Sequence, residues 1–95
     1  MIMIVRVPFK HLANMQVAFK VCGVDAKTLD VGAGEVRYVL GETEPDYLRD
    51  FLRLTAEYVS ITWSTELVVV RTYQLLFGED AWRDTEHITP SSVVV

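Results

Sequence analysis

Residues 60–77 read SITWSTELVVVRTYQLLF, and whether they form strand or helix decides the fold. Ile61 and Trp63 alternate with Ser60, Thr62 and Ser64, the period of a half-buried strand. Val68, Val69 and Val70, followed by Thr72 and Tyr73, favour a second strand, because consecutive β-branched side chains lose rotamer freedom in a helix. Against this, Glu57, Ser60, Ser64, Arg71 and Gln74 form a polar stripe at helical spacing, broken by Leu67. The valines weigh more, so the stretch reads as strand, with helix as the alternative.

The wider run from Leu54 to Phe77 carries only Glu57, Glu66 and Arg71 as charges. It is too apolar to lie open to water. It is also too interrupted for a membrane span, since each charge at a bilayer centre costs about 2.5–3.5 kcal/mol. Such a run is buried in a core, in a partner, or in both.

Upstream, Thr43 to Val59 reads as an amphipathic helix. Thr43 with Asp46 forms an acidic variant of the capping box, and Pro45 suits the first turn. Asp46, Arg49, Asp50, Arg53 and Glu57 share one face, and Leu48, Phe51, Leu52, Thr55 and Val59 the other. Tyr47, Leu54 and Tyr58 widen the apolar stripe beyond what one sheet contact needs. Met1 to Phe9 reads as a buried strand. Lys10 to Cys22 reads as a helix with Leu12, Met15, Phe19 and Cys22 inward, stopped by Gly23 with Val24 folding back. Lys27–Val31 and Glu35–Leu40 flank Gly32-Ala33-Gly34 as a hairpin whose glycines supply positive φ.

The expected architecture is therefore α+β over residues 1–78, a small antiparallel sheet with two helices on one face in the order β-α-β-β-α-β. That order allows a ferredoxin-like, split βαβ arrangement. A helical 60–77 predicts instead a three-stranded sheet with residues 44–77 largely helical. Residues 79–95 read as an acidic, partly irregular tail, in which Trp82 anchors the first half and Ser91–Val95 offers an edge strand.

The net charge of −4 is unevenly spread. Residues 1–40 hold five basic groups against three acids, and residues 41–95 four against ten. This argues against direct binding to a nucleic-acid backbone, which needs clustered Lys and Arg, and favours steering of a basic partner. A single cysteine, Cys22, excludes an internal disulfide and any cysteine-rich zinc site, and fits a reducing compartment. With no signal-peptide pattern at the start, the expected location is cytoplasmic.

Leu29-Asp30-Val31-Gly32-Ala33-Gly34-Glu35 resembles the first motif of the class I, S-adenosylmethionine-dependent methyltransferases. It departs at Val36, where that family has a third glycine, and a cofactor loop opens a helix, whereas Glu35–Leu40 reads as a returning strand. The hairpin reading stands, and no cofactor is assigned. Glu79, Asp80, Asp84, Glu86 and His87 offer ligand types without the spacing of a metal site, and none is assigned. Neither Cys22 nor His11 nor His87 has a partner that would activate it, so no catalytic residue is named.

Two candidate sites remain. Tyr47, Tyr58 and Trp63 flank the apolar stripe and suit a protein contact surface. Arg6, Lys10 and His11 gather at a strand-to-helix junction and suit an anion. The chain therefore reads as a small non-enzymatic interaction module, a regulator or inhibitor, that self-associates and binds a protein partner through an aromatic surface with an acidic flank. The alternative is a small-molecule or anion-binding domain.

Overall fold

A computed structural model describes residues 1–78 of the chain. Strand β1 (Ile2–Pro8) passes through a 3-10 turn (Phe9–His11) into helix α1 (Leu12–Cys22). Strands β2 (Ala26–Gly32) and β3 (Glu35–Leu40) form the hairpin, and helix α2 (Pro45–Thr55) leads to strand β4 (Ser60–Ser64). Helix α3 (Leu67–Phe77) follows. All four strands pair antiparallel in the order β2-β3-β1-β4. Each βαβ unit thus brackets one strand of the other, which is the split βαβ topology. The residues expected for an acidic tail, for Trp82 as anchor, for a C-terminal edge strand and for metal-ligand types all lie outside the described region.

Alternation along β1 and β3 sorts the core onto two faces. Val5, Val7, Val36, Tyr38 and Leu40 meet Met15, Ala18 and Phe19 of α1 and Phe51 of α2. Phe19 stacks on Phe51 with ring centroids 5.3 Å apart. On the opposite face Ile2, Ile4 and Val39 meet Val69, Val70 and Tyr73 of α3. The domain therefore has three layers, not the expected two.

That third layer corrects the strand reading of the valine run. Residues 60–64 are the strand their alternation predicts, but residues 67–77 are helical. The tertiary gain from seating Val69, Val70 and Tyr73 on an apolar sheet face outweighs a propensity deficit of a few tenths of a kcal/mol per valine, about 1.5 kcal/mol in all. The competing picture, a three-stranded sheet with residues 44–77 largely helical, is right about the helix over 67–77 and wrong about the sheet, because β4 completes a fourth strand.

Three devices hold α3 in place. Buried Tyr73 donates its hydroxyl to the Leu40 carbonyl at 3.0 Å. Lys27 Nζ donates to the Leu76 carbonyl at 3.0 Å, satisfying an end-of-helix acceptor, and sits 5.2 Å from the Phe77 ring centroid. Phe77 in turn lies 4.8 Å from Tyr73, centroid to centroid.

Helix α1 closes as expected. Gly23 adopts φ 66°, its N–H reaches the Lys20 carbonyl, and the Val24 N–H reaches the Phe19 carbonyl at 2.9 Å, with Val24 buried. The capping box does not form. The Thr43 hydroxyl donates to the Gly41 carbonyl at 3.1 Å, Glu44 occupies the N-cap without a side-chain bond, and the helix begins at Pro45. In the hairpin turn Ala33 and Gly34, at φ 55° and 77°, take the two left-handed positions, and Gly32 belongs to β2. No helix among the described residues is long and apolar enough to cross a membrane.

Candidate functional site

The amphipathic pattern of α2 puts Phe51 and Thr55 fully inside, where the Thr55 hydroxyl satisfies itself on the Phe51 carbonyl at 2.7 Å. The same geometry turns Tyr47 and Leu54, one heptad apart, onto the flank toward α1, where Tyr47 remains 55% exposed. Val21 and Cys22 at the end of α1 face them across an open groove. Lys20, Asp50, Arg53 and Glu57 form its rim. The groove is thus an apolar floor within a charged border, the usual anatomy of a protein contact.

Tyr58 occupies a different place. It lies past the end of α2, half-buried against the larger core cluster, with its ring 4.8 Å from that of His11. Tyr47 lies in the first turn of α2 and Tyr58 beyond its last residue, Thr55, so about 12 Å of helix separates them. Trp63 lies on β4 opposite Met3 and is 42% exposed, beside Ile61 opposite Val5. The three aromatics thus form no single patch. Tyr47 belongs to the groove, Trp63 to the sheet edge, and Tyr58 largely to the core.

Arg6, Lys10 and His11 are not brought together either. Alternation places Arg6 on the α3 face of the sheet, where Nε and Nη2 donate to the Glu35 carboxylate at 2.9–3.2 Å. His11 lies against Tyr58 on the other face, and Lys10 points from the 3-10 turn into solvent. Arg6 pairs across the strands with Arg37, an opposition of like charges that Glu35 and Asp30 offset. Arg37 bonds both Asp30 oxygens and so holds that carboxyl below its usual range. Both arginines are committed to carboxylates on the same sheet surface.

The glycine segment Gly32–Gly34 joins two antiparallel strands and opens no helix, so it offers no cofactor cradle. Cys22 is half-buried on the larger cluster. Among the described residues, no group of three or more His, Cys, Asp or Glu side chains is placed to share a metal ion.

Sequence reasoning passed over Val17 and Val21, which stand exposed on α1 at i, i+4. Their signal was present: both fall off the Leu12–Met15–Phe19–Cys22 stripe yet are apolar. Leu67, Val68 and Leu75 likewise face outward on α3, around Arg71. No known family, curated protein or solved structure matches the chain.

Proposed function

We propose that the protein is a small non-enzymatic interaction module that self-associates and binds a protein partner. The observation that carries this reading is the amount of large apolar side chain left in water by a folded domain. Tyr47, Leu54 and Val21 line one groove, and Ile61 and Trp63 lie along one sheet edge. Contiguous exposed apolar surface rimmed by charge marks contact sites in soluble domains. The acidic balance of residues 41–95 gives a basic partner a favourable approach. The arginines and carboxylates of the sheet face neutralise one another, which gives the anion-binding alternative no open cation cluster.

The test couples assembly to partner capture. Light scattering over a dilution series is expected to give more than one chain per particle. A partner retained by the immobilised wild-type chain is expected to be lost with Tyr47→Lys and with Leu54→Asp, both exposed and therefore gentle on folding. A strictly single-chain mass, together with an identical bound set for wild type and both variants, would refute the reading.

A further inference from the structure

The two edges of the sheet are treated differently. Edge strand β2 carries Lys27 and Asp30, its register shifts between Thr28 and Asp30, and its Lys27 is tied to the end of α3. Charge and a bulge are the ordinary means of keeping an edge from pairing with another chain. Edge strand β4 has neither. It runs in regular register with β1 from Ser60 to Ser64, contains no charge and no proline, and leaves Ile61 and Trp63 exposed. Among the described residues nothing pairs with its outer side.

We infer that this edge joins two copies of the chain, the β4 strands pairing antiparallel about a two-fold axis through Thr62 to make one continuous eight-stranded sheet. This deepens the self-association proposed above and rests on it. The strand is self-complementary about its centre. Ser60 meets Ser64 of the second copy, Thr62 meets Thr62, and Ile61 meets Trp63 on the same face. The last is an aromatic–β-branched pair, a favourable cross-strand neighbour, and the axis makes it twice. Moving the axis by one residue, to Ile61 or Trp63, keeps the faces but shortens the five-residue overlap to three. An axis between residues sets Ile61 or Trp63 against Ser and Thr on the wrong face.

Charge at the strand itself does not oppose a second copy. The chain is net acidic, and the carboxylates nearest β4 are Glu57 and Glu66. Both lie outside the five paired residues, which carry no charge of their own. The interface is isologous, so it closes at two chains.

The register gives a sharp test in a Cys22→Ala background of the full chain. Across an antiparallel pair the Thr62 Cα atoms stand about 4.5–5.5 Å apart, within disulfide reach. The Ser60 positions stand about 13 Å apart, beyond it. Mild oxidation is expected to cross-link Thr62→Cys into a dimer and to leave Ser60→Cys single. Trp63→Lys, with far-ultraviolet circular dichroism unchanged, is expected to halve the light-scattering mass. A dimeric mass without a Thr62→Cys cross-link, or equal cross-linking at both positions, overturns the edge pairing while leaving self-association elsewhere intact. A single-chain mass at all concentrations overturns both, and protection of β4 amides from hydrogen exchange in that monomer would assign the edge to the chain's own C-terminal segment.

Discussion

Three adjacent valines can report how residues 67–77 are folded. Val68 is 66% exposed, whereas Val69 and Val70 are 5% and 9% exposed. Truncating a buried Val to Ala removes two carbons, about 1.6 kcal/mol of transfer free energy, and a cavity term raises the loss to about 2–2.5 kcal/mol. Alanine returns about 0.5 kcal/mol through its better helix propensity. The net expectation for Val69→Ala and for Val70→Ala is a loss of about 1.5–2 kcal/mol. At Val68 only a third of the side chain is covered, so a loss of about 0.5 kcal/mol meets an equal propensity gain, and stability stays within about 0.5 kcal/mol of wild type. Urea unfolding followed by circular dichroism measures this. With m about 1.3 kcal/mol/M, the two buried variants lose about 1.2–1.5 M in midpoint at unchanged m. A strand predicts another pattern, since positions 68 and 70 would share a face and 69 would take the other. Equal losses at Val68 and Val70 with Val69 neutral would refute the helix, and three neutral variants would refute its docking on Ile2, Ile4 and Val39.

Tyr73→Phe is expected to cost about 1–1.5 kcal/mol in the same assay, because the Leu40 carbonyl loses a buried donor. Burial, with Glu42 and Asp25 nearby, raises the Tyr73 hydroxyl above its usual 10.0. A raised folded-state value stabilises the protonated form, so the contribution is complete below pH 10 and lost as pH climbs through the raised value; wild type should therefore fall toward Tyr73→Phe in alkaline melts. Ala33→Asn is expected to stabilise the hairpin by about 0.5–1 kcal/mol in thermal melts, since Asn tolerates the left-handed conformation that Ala33 now holds at φ 55°. Gly41→Ala would set a Cβ 2.7 Å from Phe77 Cε1, and the displaced ring is expected to cost about 1–2 kcal/mol and to speed amide exchange in α3 before β1. A double-mutant cycle with Phe77→Ala should remove most of that cost, and an additive cycle would place the strain elsewhere.

Much of the fold could be read from local signals. Gly23 with Val24, the pattern of Glu35–Leu40, and the inward Phe51 and Thr55 each follow from periodicity plus one stop or turn residue. The capping box at Thr43 failed because Glu44, not Thr43, is the N-cap, while the Thr43 side chain turns back to donate to the Gly41 carbonyl, an outcome that spacing alone does not resolve. The third layer was missed although β1 announced it. Ile2, Ile4, Val5 and Val7 are apolar at both parities, and a two-layer sandwich would leave Ile2 and Ile4 wet. That pattern asks for a second cover, and the valine run is the apolar segment left to supply it. The site was less legible. Arg6, Lys10 and His11 are neighbours in sequence, but strand alternation sends Arg6 through the sheet to Glu35, and Tyr58 left the aromatic set because α2 ends at Thr55.

The third layer also narrows the argument for a partner. The apolar run from Leu54 to Phe77 exceeds what a two-layer interior can hide, and α3 accounts for part of the excess by burying Val69, Val70 and Tyr73. Beyond Leu54, which lines the groove, what remains exposed divides by geometry. Leu67, Val68 and Leu75 stand on a helix around Arg71, and scattered exposed apolar side chains of this kind are ordinary. Ile61 and Trp63 differ, because they accompany a strand whose outer backbone N–H and C=O groups have no strand partner among the described residues. Side-chain burial and backbone hydrogen bonding there favour the same event. A helix face supplies only the first of these, so the edge of β4 makes the stronger demand for a second chain.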